Sequence, residues 1–439
     1  MNFCFCYCNF YCQCRQTGEW VVDPPMVGKR MADSRNSARM VMLVTTAVFI
    51  NYVDRGNLST AAPLLQDQLS LNEVQLGLLF SAFYYGYVPL MPLMGVLAER
   101  FGAKPVFAAG LGLWSVATML TGFAGGFMSL LLLRVLLGIG ESGAFPCASK
   151  VLAATVEPHR LGVANGVLSF GYLIGPAIGT FVGGLLMAHL GWRPVFFLFG
   201  LLSLLWLIPW LRSDVPKPVK TIAGVMGPSL GTLLRERALW GASLGHFASN
   251  YGYYFIVSWL PFYLVKTRGY SFEMMSLVAS IAYLLNAGSA FGMGVLADRW
   301  LRRGASATVV YKSIMGISHA GAVLCMIGMM TLGETGSLVS LFAFQMIAGA
   351  SYPGLFAIPQ ILAGPDATGR WVGLQNAAGN LAGLIAPAVT GFLVYSTGQF
   401  GLAFGLVAAL NVLGCLSWVW VLPSVAPIDW AKRQPRAIA

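Results

Sequence analysis

Apolar runs of membrane-spanning length recur along this chain, and they constrain its fold more than any other feature. They lie near 41–63, 75–97, 105–125, 128–153, 163–188, 194–211, 238–264, 275–297, 307–331, 338–363, 371–395 and 400–422, separated by short polar breaks. Each supplies the roughly 20 residues that a helix needs to cross a hydrocarbon layer of about 30 Å. Inside lipid a backbone must satisfy its own polar groups, so runs of this kind fold as helices. The expectation is an all-α polytopic membrane protein with twelve transmembrane helices. Composition agrees: 57% of residues are hydrophobic and only 10% charged, too few to coat a soluble surface.

The longest break, 212–237, contains Asp214, Pro216, Lys217, Pro218 and Lys220. It divides the chain into two six-helix bundles, 40–211 and 238–423, flanked by segments 1–39 and 424–439. Basic residues collect in alternate breaks: Arg35 and Arg39 before the first run, Arg100 and Lys104 after the second, and Lys150 and Arg160 around the break after the fourth. The central break, Arg299, Arg302 and Arg303 after the eighth run, and Lys432, Arg433 and Arg436 at the end continue the pattern. Arg193, Lys266 and Arg268 are exceptions. By the positive-inside rule both termini are expected in the cytoplasm, with the protein in the cell (inner or plasma) membrane. The formal net charge of +11 is explained by this scatter, which argues against a nucleic-acid partner.

Cysteines crowd the start, at Cys4, Cys6, Cys8, Cys12 and Cys14. Their spacing matches no structural zinc pattern, so no metal site is expected. The residues ahead of Met31 are expected outside the fold, as a disordered segment or a start assigned too early. Phosphate-binding glycine loops and nucleophile elbows are absent from the sequence, so neither an enzyme nor a cofactor other than a coupling proton is expected.

The two halves repeat. Gly95-Val-Leu-Ala-Glu99-Arg100-Phe returns as Gly294-Val-Leu-Ala-Asp298-Arg299-Trp, and Gly175-Pro176 is answered by Ala386-Pro387. Parallel repeats of this kind place a substrate site near the bilayer midplane between the halves. With the motif from Gly95 through Gly102 to Lys104, the chain resembles the major facilitator superfamily from about 40 to 423. That resemblance implies two pseudo-symmetric six-helix bundles and a role in conformational gating for Gly95, Glu99, Arg100, Gly102, Lys104, Asp298 and Arg299.

Asp54, Arg55, Arg134 and Glu141 are the only full charges well inside the runs, on the first and fourth helices. Ionisable groups at this depth are costly, which favours a functional site over buried ion pairs that merely join helices. Arg134 and Glu141, two turns or about 10 Å apart along the axis, share a helix face. Asp54 and Arg55 point roughly 100° apart and are expected to meet different partners. Two arginines keep their charge while two carboxylates can take protons. Protonation would free guanidinium groups to hold an anion, so proton and anion would bind cooperatively, as symport requires. His246 and His319 are read as packing residues. The second half offers polar groups instead, among them Asn250, Tyr253, Tyr254, Asn286, Gln375, Asn376 and Asn380. Glycines at 171, 175, 179 and 183 are expected to let the fifth helix pack closely.

Tyr52-Val-Asp54-Arg55-Gly-Asn57, Ser81-Ala-Phe83 with Tyr87, Arg134-x3-Gly138-x2-Glu141 and Gly379-Asn380 resemble the anion:cation symporter family. Its bacterial members import sugar acids such as galactonate, glucarate and hexuronates with protons. The resemblance implies Asp54 and Glu141 as proton sites and Arg55 and Arg134 as the carboxylate grip. Tyr52, Tyr87 and Asn380 would touch substrate, with Asn57 beside them. Tyr172 stands where galactonate carriers have glutamine, and Ser351 to Gln360 lacks the small hydroxyl residues and tryptophan of their tenth helix. These departures imply a less hydroxylated or differently shaped acid. The implied function is import of a small organic anion, a sugar acid or related carboxylate, in symport with protons by alternating access, as a monomer. Export or exchange of organic anions, and nutrient sensing without flux, are the alternatives.

Overall fold

The computed structural model describes residues 34–156, 161–215 and 228–430. The cysteine cluster, Met31, Arg160, residues 216–227 of the central break and the basic residues from Lys432 onward lie outside them. Among the described residues every regular element is helical. Six spans form the first half: α1 (Ser34–Leu69), α2 (Glu73–Phe101), α3 (Ala103–Thr121), α4 (Phe127–Leu152), α5 (Leu161–Leu190) and α6 (Trp192–Leu211). Six form the second: α7 (Arg237–Phe262), α8 (Phe272–Arg302), α9 (Ala307–Thr331), α10 (Glu334–Gly364), α11 (Ala367–Thr397) and α12 (Gly401–Val421).

Ten of these are apolar enough throughout to read as membrane spans by composition; α1 and α7 are not. The reason is chemical. Asn51, Asp54, Arg55, Asn57, Ser59 and Thr60 dilute α1, and all are buried inside the protein rather than turned to lipid. His246 and Ser258 on α7 are buried in the same way.

Helix ends follow local chemistry. Asn72 caps α2 through a reciprocal pair with Gln75, accepting from its backbone N–H at 2.8 Å while the Gln75 side chain accepts from the Asn72 N–H at 3.0 Å. Gly102 sits between α2 and α3 at φ +93°, a conformation that other residues adopt only under strain, which explains the glycine in that loop motif. α10 and α11 continue through a kink at Gly364, where φ is +65°.

Three features lie beyond the sequence reading. α1 begins at Ser34, so the last residues of the 1–39 segment are helical, and Ser37 is held by the Thr155 carbonyl at 2.5 Å. The central break contains a short helix, Leu230–Leu234, capped by Ser229. The tail is no free end as far as Trp430, whose indole donates to the Ala363 carbonyl at 2.7 Å. Tryptophan carries both a large apolar surface and a donor, and here both are used against the end of α10 and Trp371.

The glycine stripe of α5 packs on α1 as its spacing predicts. A Cβ added at Gly171, Gly175, Gly179 or Gly183 would lie 2.7–3.1 Å from Thr45, Tyr52, Val53 or Asn57, respectively. Close helix approach in lipid depends on such small residues because dispersion replaces the hydrophobic effect.

The two bundles meet unevenly. At the face opposite the start of α1, Gly77 abuts the Pro387 carbonyl, Gly391 the Glu73 carbonyl and Gly184 the Ser276 side chain. Phe80 and Trp259 pack edge to face there, and Lys266 pairs with Asp67 at 2.5 Å. At the face where α1 begins, Gly95, Gly166, Gly288, Gly292, Gly369 and Gly373 have no atom within 4 Å of an added Cβ. The cleft between the bundles is therefore open toward the face where α1 starts and closed at the other.

Candidate substrate site between the bundles

Arg55 is held from three sides. Its Nη2 and Nε donate to Glu141 Oε2 at 3.0 and 3.3 Å, and Nη2 also donates to Asn51 Oδ1 at 3.2 Å. Its guanidinium carbon lies 4.6 Å from the Tyr52 ring centre, 4.5 Å from Phe83 and 4.9 Å from Tyr87. Such cation–π contacts strengthen when water is excluded, and Arg55 is only 9% exposed. Gly138 makes the pair possible, since α4 rests directly on the Phe83 carbonyl of α2 at that residue.

Arg134, one turn before Gly138, is 5% exposed. No hydrogen bond or ion pair to it is formed among the described residues, and its Nε is fully buried without a partner. Its guanidinium faces the Phe83 ring at 5.6 Å. A buried guanidinium with unused donors suits an anion, because a carboxylate can answer two of them at once. Glu141 keeps a second unpartnered oxygen, Oε1.

Asp54 behaves differently from its neighbour, as adjacent helix positions require. Its Oδ2 accepts from Ser203 Oγ of α6 at 3.0 Å, while Oδ1 has no partner. It lines a cavity of about 170 Å³ between α1, α5 and α6. The structure thus brings Arg55 and Glu141 together and, among the described residues, leaves Asp54 and Arg134 each without an opposite charge in contact.

The remaining expected site residues spread over three surroundings. Tyr52 and Tyr172 meet at 5.5 Å with rings tilted by 39° on the wall of the cleft, with Phe145 beside both. Tyr87 is buried against Phe83. Asn380 is engaged between helices: its Oδ1 accepts from the Tyr254 hydroxyl at 2.7 Å and its Nδ2 donates to Asn376. Asn57 is fully buried against Gly183 of α5, with neither side-chain polar atom bonded.

Among the residues expected to act in gating, Lys104 donates to the Ser213 carbonyl at 2.5 Å and ties α3 to the end of α6. Arg100, Asp298 and Arg299 are exposed, and Gly95 borders open space. The Glu99 side chain lies outside the described residues.

The sequence profile of the Major Facilitator Superfamily matches residues 44–387. The chain belongs to this superfamily. It is a multi-pass membrane transporter, not an enzyme. The transporter is 31% identical over 416 residues to a hexuronate transporter of Bacillus subtilis (strain 168), covering 90% of this chain and 96% of that protein. It is 31% identical over 397 residues to the probable sulfoacetate transporter SauU of Cupriavidus necator, covering 85% and 91%. A probable galactarate/D-glucarate transporter, GarP of Escherichia coli (strain K12), is 26% identical over 442 residues, covering 92% and 98%. Among solved structures, a bacterial homologue of the lysosomal transporter Spinster in an inward-facing state shares the fold at TM-score 0.71 and 20% identity, over 89% and 93% of the two chains. A D-xylose–proton symporter shares it at 0.72 and 17%, over 88% and 98%.

Several contacts of the transporter site were not anticipated from sequence. Asn51 sits four residues before Arg55, the spacing of one helix face, and that signal was available. Ser203 carries no comparable mark, because a serine in an apolar run reads as packing.

Proposed function

We propose that this transporter carries a small organic anion, a carboxylate of the general class that includes its relatives' sugar acids, in symport with protons by alternating access. The observation that carries the reading is Arg134, a buried guanidinium without a partner, beside an Arg55–Glu141 pair that a proton can release. Protonating Glu141 removes the charge that holds Arg55. Arg55 then joins Arg134 in facing the cleft, and an incoming carboxylate restores neutrality. Asp54, one residue away but on the α6 side, is the second proton site in this scheme. The anion and the protons thus each favour the other's binding: with Glu141 alone protonated a monocarboxylate leaves the four charges neutral, and a second proton on Asp54 gives the loaded site one net positive charge. The face where α1 begins is the cytoplasmic one by the distribution of Lys and Arg, and the monomer is the working unit.

The test is uptake into proteoliposomes under imposed pH gradients of either sign. Arg134→Ala is expected to abolish uptake at every pH. Glu141→Gln is expected to lose proton-driven accumulation while keeping exchange of internal for external substrate. Normal concentrative uptake by Glu141→Gln would sink the coupling role. Accumulation only under the reversed gradient would assign the site to export.

A further inference from the structure

The open part of the cleft is walled by aromatic and apolar side chains, not by the amides that would read a sugar. A chamber of about 550 Å³ lies between α5, α8 and α10, with Tyr172, Leu173, Leu284, Tyr352, Pro353 and Phe356 among its walls. That volume lies within the ordinary range for small-molecule sites. Ring contacts lead from it to the charged groups. Tyr172 meets Tyr52 at 5.5 Å, and Tyr52 lies 4.6 Å from the Arg55 guanidinium carbon. On the other wall Tyr352 meets Tyr253 at 6.4 Å, Tyr253 meets Tyr254 at 5.3 Å, and Tyr254 meets Tyr84 at 4.9 Å.

Several amides near the site, in contrast, are occupied, while Asn57 is buried against Gly183 and Asn250 lines a smaller pocket beside Tyr253 and Tyr352. Asn380 is bonded to Tyr254 and Asn376. Gln375 accepts from the Trp371 indole and donates toward His246 and the Leu355 carbonyl. Asn286 donates to the Gln345 carbonyl, and Asn51 is taken by Arg55. A polyhydroxylated acid entering this chamber would exchange water for rings at most of its hydroxyls, and buried hydroxyls without partners are costly. A flat aryl group instead stacks on tyrosine faces, and a single ring hydroxyl can be met by a tyrosine hydroxyl.

We infer that the preferred cargo is an aromatic carboxylate, its carboxylate held by Arg134 and its ring received between Tyr172 and Tyr352. This rests on the carboxylate-transport reading above and narrows it. Tyr172 is then a specificity-determining residue, because its ring belongs both to the chamber wall and to the ring contacts leading to Arg55.

The experiment uses the full purified chain and measures binding calorimetrically with 4-hydroxybenzoate, galactonate and benzyl alcohol. 4-Hydroxybenzoate is expected to bind at least about tenfold more tightly than galactonate, with benzyl alcohol far weaker than either acid. Tyr172→Gln is expected to lower the ratio of 4-hydroxybenzoate to galactonate affinity about tenfold, and Tyr172→Phe to keep it. The ratio is read within one protein, so a general loss of folded material does not imitate the effect. Galactonate binding as tightly as the aromatic acid, or a ratio unmoved in Tyr172→Gln, overturns the inference. Proteoliposome uptake separates it from the reading beneath it. Accumulation of galactonate but not 4-hydroxybenzoate defeats the aromatic preference and leaves proton-coupled transport standing. Arg134-dependent binding of 4-hydroxybenzoate without accumulation of any acid defeats the transport reading and leaves the aromatic preference standing.

Discussion

Gly138 shows how single residues position the charges. It lies between Arg134 and Glu141, and an added Cβ would strike the Phe83 carbonyl. Gly138→Ala should therefore push α4 from α2, at a cost on the order of 1–3 kcal/mol. Its thermal denaturation midpoint in detergent is expected to fall, and uptake with it. Gly166→Ala, which meets open space, should leave the stability within about 0.5 kcal/mol of the parent and the midpoint nearly unmoved. Equal midpoints for the two variants would show that the close approach at 138 does not set the helix spacing. The four buried charges were legible in the sequence because ionisable groups are rare in lipid-spanning runs. Their partners were less so. That Asp54 and Arg55 meet different partners followed from helix geometry, but Glu141 as the group that meets Arg55 and Ser203 on α6 as the group that meets Asp54 are matters of tertiary packing.

Among the elements, α1 and α7 are the least apolar spans, and they join the bundles at the closed face. Lys266, in the last turn beyond α7, bridges to Asp67 near the end of α1. The pair is solvent-accessible, so its contribution to stability should not exceed about 1 kcal/mol. Its effect on the balance of conformations is the more useful readout. In Lys266→Gln the closed face should open more often, and a cysteine placed at Ser280, now buried against the Ala177 carbonyl, should react several times faster with a water-soluble maleimide. Unchanged labelling would remove the bridge from any role in closure. Helix number and order were readable because backbone hydrogen bonding in lipid leaves helices as the solution for apolar runs. The helical start at Ser34 and the docked Trp430 were not. They go with contacts to Thr155 and Ala363, which no local pattern encodes.

For the molecule as a whole, the uneven meeting of the bundles is a statement about state. Cysteines replacing Gly184 and Ser276, whose side chains would touch across the closed face, are expected to form a disulfide in the resting protein and to stop transport until reduced. Cysteines replacing Gly166 and Gly288, which border the open chamber, should cross-link only while substrate is being turned over. Rapid cross-linking of both pairs at rest would contradict a cleft open to one side. What the sequence determined by itself was the membrane class, the twelve helices, the internal repeat and the charges that need explaining, because each follows from the energetics of polar atoms in hydrocarbon. What only the tertiary structure decided was which charges are satisfied and which side of the cleft is open. It also showed that Asn286, Gln375 and Asn380 join helices while Tyr172 and Tyr352 face the chamber. These depend on distances between residues far apart in the chain, and a helical span shows its inward face only when its neighbours are in place.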